Sequence, residues 1–402
     1  MGMESMKVGI VGLHWPPDWG GAERYVSRVV DALNNHGVEA WGITPRHSID
    51  GMDNGTEYVH RLGDFQPFGI NDSKNMLNFW NHLYDHVEEG QYTHLIFNNC
   101  HVFSWAFEDV INRLKEMNVK VGIFHFDVLP QLRLPVAENY HHEQDWEKAL
   151  YPVVTSQKAL FEIDNPLFTE KHAHYIINSP LFFNPDFVVS CSKWVERFID
   201  PTDKLPKFVL HPPLGETNEP TTKLDRVNIT MINPQYHKGR SYMADIINEF
   251  NNKWTYRVLL GGYGGDKQEF VDMIADSWAV RDGRVEIVPY VEQIEDALCA
   301  TDLFIFPSRF EGYGMAAVEP MIHGVPVMVQ NYPSVIEAVG DGAIIMPYGQ
   351  DSKEWIETIE ELFFDDEEYE EFKEKGYKRV QQLKDREHEE MKNFITFMEN
   401  IA

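Results

Sequence analysis

The chain reads as an α/β protein built from two Rossmann-like domains, each a parallel sheet wrapped by helices. Three observations predict this. Short apolar runs with the composition of buried parallel strands alternate with amphipathic helical patterns in two successive series. A polar stretch at residues 215–225 separates the two series and has the composition of a boundary. The length of 402 residues exceeds one ordinary core, so two domains of about 200 residues each are expected.

Taken in order, residues 7–13 (Lys-Val-Gly-Ile-Val-Gly-Leu) form a first strand, and residues 20–33, opening on Gly20-Gly21, form an amphipathic helix that ends near Gly37. Runs at 38–44, 93–98, 119–125 and 186–190 continue the alternation that βαβ units require, giving a first domain over residues 6–205. Residues 130–182 break the pattern. They are rich in aromatics and histidines, show no strand alternation, and read as helices and loops over a cleft. Residues 207–213 read as a strand leading into a linker. The second series has strands at 227–232, 256–261, 284–288, 302–306, 325–329 and 343–346, and gives a second domain over residues 206–385. From Asp351 the pattern is helical, with a break expected around Gly376. The terminal helix, residues 386–402, carries Met391, Phe394, Ile395 and Met398 on one face, which is expected to pack back on the first domain.

Composition excludes several classes. Hydrophobic residues make up 43% and aromatics 13%, ample for two cores, yet no run approaches the roughly 18 apolar residues of a membrane span. No basic segment followed by an apolar core opens the chain, so a cytoplasmic protein is expected, with peripheral membrane association left open. Cys100, Cys191 and Cys299 lie far apart without CxxC spacing, which fits reduced thiols better than a disulfide framework or a zinc site. A formal charge of −29 argues against a general binder of nucleic acid or anionic membrane. Part of that charge is concentrated in residues 351–375, where twelve acids face three lysines on what reads as solvated helix.

The richest stretch is Pro307-Ser-Arg-Phe-Glu-Gly-Tyr-Gly-Met-Ala-Ala-Val-Glu319. It sets Glu311 and Glu319 with seven residues between them, flanking a turn from one strand into a helix. Gly312 and Gly314 let the backbone approach a ligand closely, and the N–H groups that open the following helix can meet an anion. Carboxylates accept hydrogen bonds from hydroxyls, so the stretch reads as a site for a phosphate-bearing molecule with hydroxyls. Pro320 is tolerable in the first helical turn or with a kink. The histidine-rich spots His141-His-Glu143, His172-Ala-His174 and His94 with His101 lack metal-ligand spacing, and no metal is expected.

Taken with its Pro-Ser and Gly-Val-Pro flanks, this stretch resembles the E-x7-E signature of the large family of retaining, nucleotide-sugar-dependent glycosyltransferases with the GT-B fold, which includes glycogen, sucrose and mannosyl transferases. Residues 7–33, Phe187-Val-Val-Ser-Cys-Ser-Lys-Trp-Val195, His237-Lys-Gly239, Leu260-Gly-Gly262 and residues 332–342 with Glu337 are similar to further landmarks of that family. The resemblance implies a nucleoside-diphosphate sugar as co-substrate, UDP-linked first, with no cofactor and no catalytic metal. It implies that Glu319 binds ribose hydroxyls and Glu311 those of the donor sugar. Lys238 with the N–H groups of Gly312, Tyr313, Gly314 and Met315 would hold the diphosphate, with Gly20 and Gly21 beneath it. His125, at a strand end in Ile123-Phe-His-Phe-Asp127, would hydrogen-bond the transferred sugar. One position departs from the family. Asn233 stands where an arginine usually precedes the lysine by five residues, leaving Arg240, Arg309 or Arg24 to supply a second cation. The acceptor is a hydroxyl of a glycan, a lipid-linked glycan or a metabolite, with a modified DNA base as the alternative that the charge disfavours. A nucleotide-sugar epimerase or phosphorylase of the same fold, and a catalytically silent binding protein, are the rival readings.

Overall fold

A computed structural model describes residues 6–12, 15, 21–44, 58–62, 73–98, 107–126, 184–196, 205–214, 224–235, 238–249, 253–261, 267–289, 294–309 and 311–401. The expected helices and loops of 130–182, and Gly20 and Asp127, lie outside them. The described residues fall into two compact units: the chain up to Pro213 together with Arg386 onward, and Leu214–Asp385.

The first unit holds β1 (Lys7–Val11), α1 (Gly21–Asn35), β2 (Glu39–Thr44), β3 (Val59–Arg61), α2 (Ser73–Gly90), β4 (His94–Asn98), α3 (Phe107–Glu116), β5 (Lys120–His125), β6 (Phe187–Ser190), α4 (Lys193–Glu196) and β7 (Lys207–Val209). Its seven strands lie in the order β3-β2-β1-β4-β5-β6-β7, and every pairing is parallel. Helices cover both faces, so the central strands are largely apolar: β4 and β6 are buried at every position, and only His94, Asn98 and Ser190 in them are polar. One face packs Trp80, Leu83, Phe97 and Ile111, and the other packs Val26, Val29, Phe187 and Val189.

The second unit holds β8 (Val227–Ile232), α5 (Arg240–Asn248), β9 (Tyr256–Leu259), α6 (Lys267–Ile274), α7 (Trp278–Arg281), β10 (Val285–Val288), α8 (Ile294–Leu298), β11 (Thr301–Phe306), α9 (Met315–Ile322), β12 (Val327–Gln330), α10 (Pro333–Val339), β13 (Ile344–Met346) and α11 (Ser352–Phe364). Its six strands run β10-β9-β8-β11-β12-β13, again parallel throughout. Both sheets therefore have doubly wound order, in which the chain builds outward in one direction and then returns to build in the other.

The last helix, α12 (Asp366–Glu399), begins in the second unit and ends in the first. Its final turns bury Met391, Phe394 and Met398 against the first core. Phe394 lies 5.3 Å from the Phe208 ring, the Glu390 carboxylate accepts from His211 Nδ1 at 2.6 Å, and the Met398 carbonyl meets His94 Nε2 at 3.1 Å. No helix among the described residues is long and apolar enough to cross a membrane.

Three local expectations are corrected. The first unit does not end at residue 205, because Lys207–Val209 pairs in parallel with β6 and the chain leaves after Pro213. The helix does not break at Gly376, which lies inside α12; a Cβ there would only reach ordinary contact with Met321 at 3.5 Å. The interruption falls at Asp365 instead. That residue is extended, and its carboxylate accepts from the N–H groups of Glu367 and Glu368, capping the new helix. Finally, β3 was not expected: three half-buried residues, Val-His-Arg, make no apolar run.

Candidate functional site

In the second sheet β8 and β11 are neighbours, and the strand order reverses between them. Open α/β sheets bind ligands at the carboxyl ends of the strands beside such a reversal. The loop after β8 carries Asn233 and Lys238, and the loop after β11 carries residues 307–314. Gly239 joins the two. It caps α5 with φ 79, and a Cβ there would stand 2.2 Å from the Pro307 carbonyl oxygen. Only glycine lets the loops come this close.

That approach brings Lys238 Nζ to 2.5 Å from Glu311 Oε1. Ser308 Oγ donates to the same oxygen at 2.7 Å, and Ser334 Oγ, in the first turn of α10, donates to the Glu311 carbonyl at 2.7 Å. Behind them the buried Gln330 Nε2 donates to the Pro307 carbonyl at 3.2 Å. The pair keeps a window to solvent, with 22% of the Lys238 side chain and 12% of that of Glu311 exposed. Sequence reasoning assigned Ser308, Gln330 and Ser334 no role. Ser308 had a signal in its fixed place three residues before Glu311; Gln330 and Ser334 had none.

Glu311 leads directly into α9, whose N-cap is Gly314 with φ 100. The helix start, at Met315, presents N–H groups that make no bond within the helix, and its dipole favours negative charge there. Tyr313 is 4% exposed, so its ring belongs to the core. Gly312 lies in the bend before the helix. Glu319 sits half-buried in the second turn, followed by Pro320 inside the helix, beyond the first turn where proline is most easily accommodated. The helix ends at Ile322.

Residue 233 has φ 53, in the left-handed region where asparagine is favoured over most side chains, and its N–H donates to the Leu259 carbonyl at 2.7 Å. Of the three arginines considered as substitutes, Arg240 pairs with Glu269. Arg309 lies beside Tyr242 and Tyr348: burial pushes the Tyr348 hydroxyl up to about 12, and the Arg309 charge opposes that rise. Arg24 is exposed on α1 of the first unit.

In the first unit, His125 closes β5 beside Ser190 of β6, and its carbonyl accepts from the Cys191 N–H at 3.3 Å. Gly21 opens α1, and a Cβ there would meet no atom within 4 Å. His94 is committed to the terminal helix, while His101, His141, His142, His172 and His174 lie outside the described residues. Among the described residues no group of three or more His, Cys, Asp or Glu side chains forms a metal site. A cavity of about 450 Å³ in the second unit is lined by Arg226, Thr301 and Val325, at the opposite ends of the strands from Lys238 and Glu311.

Two parallel doubly wound units with a terminal helix returning to the first are the GT-B arrangement. Residues 233–379, which hold the loops after β8 and β11, match the family model of glycosyl transferases group 1. The chain is similar to sucrose-phosphate synthase of Thermosynechococcus elongatus, at 13% identity with a TM-score of 0.69, over 99% of this chain and 100% of that one. It is also similar to Alr3699/HepE of Anabaena, solved in complex with UDP and glucose, at 16% identity with a TM-score of 0.66, over 97% and 99%. These likenesses show the fold. Among curated sequences, an O-antigen chain mannosyltransferase B of Escherichia coli is 32% identical over 95 residues, 23% of this chain and 25% of that protein. The chain spans about a quarter to a third of the length of the curated relatives it matches.

Proposed function

We propose that the chain moves a sugar from a nucleoside-diphosphate donor to a hydroxyl of an acceptor, with retention at the anomeric carbon and without a metal. The observation that carries this reading is the Lys238–Glu311 contact beside the N-terminus of α9. One end of one sheet thus gathers a cation, a carboxylate and helix N–H groups. Lys238 and the N–H groups of residues 312–315 hold the diphosphate and stabilise the charge that develops as it departs. Such stabilisation lowers the barrier because it grows toward the transition state. Glu311 accepts from donor-sugar hydroxyls and Glu319 from ribose hydroxyls. The departing phosphate can itself take the acceptor proton, so no protein nucleophile is needed. His125 and Gly20-Gly21 enter this reading through the resemblance alone.

UDP is the first nucleotide to try, with GDP next. The solved relative in complex with UDP and glucose supports the first, and the mannosyltransferase relative supports a hexosyl group. The acceptor is proposed to be a glycan or lipid-linked glycan. Incubation with UDP-glucose or GDP-mannose and a panel of glycan acceptors should release nucleoside diphosphate only when acceptor is present. Release without acceptor, or isomerisation of the donor, would instead favour an epimerase or hydrolase. Proton NMR of the anomeric centre in the product decides retention against inversion.

A further inference from the structure

The Glu311 carboxylate is loaded on one side. Lys238 Nζ and Ser308 Oγ both bond Oε1, at 2.5 and 2.7 Å, while Oε2 makes no hydrogen bond among the described residues. It is also not among the fully buried polar atoms left without a partner. Ser308 is itself 1% exposed, at the end of the buried strand β11, so its hydroxyl has little freedom to turn elsewhere. Ser334, 0% exposed, fixes the main chain of Glu311 through the carbonyl.

These contacts matter differently once a ligand arrives. If Lys238 serves the donor diphosphate, as the reading above holds, its ammonium turns from Glu311 toward phosphate oxygens, which compete with the carboxylate for the same three donors. Oε1 then keeps one side-chain partner, the Ser308 hydroxyl. We propose that Ser308 is a positioning residue for Glu311. It holds the carboxylate in its observed orientation after Lys238 is drawn to the diphosphate, so that Oε2 faces the sugar hydroxyls. Ser308 acts through Glu311 and touches no reacting atom. The inference rests on the transferase reading.

The test compares each nucleoside diphosphate with its sugar-bearing form. Calorimetric titrations of wild type, Ser308→Ala, Ser308→Cys, Glu311→Gln and the double variant Ser308→Ala/Glu311→Gln use UDP with UDP-glucose and GDP with GDP-mannose. A lost hydrogen bond to a charged group predicts that Ser308→Ala weakens the sugar nucleotide by about tenfold while the bare nucleoside diphosphate stays within about twofold. In the Glu311→Gln background the same serine change should add little, because the charge it orients is gone. Ser308→Cys keeps the side-chain volume with a weaker donor, and should show the same split to a lesser degree; it serves as the test if Ser308→Ala does not fold. Equal losses for both ligand forms, or no loss for either, would overturn the proposal and leave the transferase reading standing. A wild type that binds none of the four ligands would overturn both.

Discussion

The two units present the ends of the same doubly wound sheet in different ways. In the second unit the loops after β8 and β11 are locked together: Gly239 lies where a Cβ would meet the Pro307 carbonyl at 2.2 Å, and Lys238, Ser308 and Ser334 all converge on Glu311. In the first unit the helix after β1 opens on Gly21, where a Cβ would meet nothing within 4 Å. Glycine is demanded by packing in one place and not in the other. A binding group held by its neighbours before the ligand comes loses little freedom on binding, which is how preorganisation raises affinity. Glu311, the proposed binding group of the second unit, is held in this way by Lys238, Ser308 and Ser334.

Four substitutions or conditions sharpen this contrast. The largest effect is expected from Gly239→Ala: a left-handed φ and a collision with backbone should cost about 3 kcal/mol or more of stability, seen as a lowered thermal midpoint, and should separate Lys238 from Glu311. Next comes Lys238→Ala. It removes the charge proposed to stabilise the leaving group, so kcat should fall about a hundredfold or more, while the unfolding midpoint changes little because the ion pair is partly solvated.

A smaller effect, confined to the first unit, concerns pH. Burial, with His60 and Lys7 nearby, lowers His86 to about 4, and His60 and His94 are shifted in the same direction by burial. In the unfolded chain a histidine binds its proton near pH 6.5, as about that value describes model peptides. Between that pH and about 4 the unfolded state therefore binds protons that folded His86 refuses. Stability of the first unit should be full above pH 6.5 and decline as pH falls through this window, and His86→Gln should flatten the decline in denaturant midpoints. The smallest effect is expected from Gly21→Ala, within about 0.5 kcal/mol of wild-type stability. Any accompanying loss of donor affinity then reports contact with the ligand rather than misfolding.

Much of this fold was legible in the sequence, for a physical reason. Strands buried on both faces must be apolar at consecutive positions, so runs such as 94–98 and 302–306 stand out from the helices around them. The strand Val59–Arg61 did not stand out, because a short edge strand is half-buried and carries His60 and Arg61. Gly376 misled because glycine lowers helix propensity by only about 1 kcal/mol, which the packing of a long helix readily outweighs. In the site, Lys238, Glu311, Gly314 and Met315 were named from their pattern, and the structure gathers them at one sheet end. The support around them was not legible. Ser334 lies 23 residues from Glu311 along the chain, and only the folding of α10 against the loop makes them neighbours. Likewise the left-handed backbone at Asn233, φ 53, where asparagine is favoured over most side chains, was not legible in the sequence.

The Lys238–Glu311 site is proposed to bind a nucleoside-diphosphate sugar. Thermal unfolding of wild type and Lys238→Ala with UDP-, GDP- and ADP-sugars tests it most directly, since a ligand that binds only the native state raises the midpoint. A concentration-dependent rise with at least one donor is expected for wild type, absent or much reduced in Lys238→Ala. No rise with any donor, or an equal rise in both proteins, would contradict it.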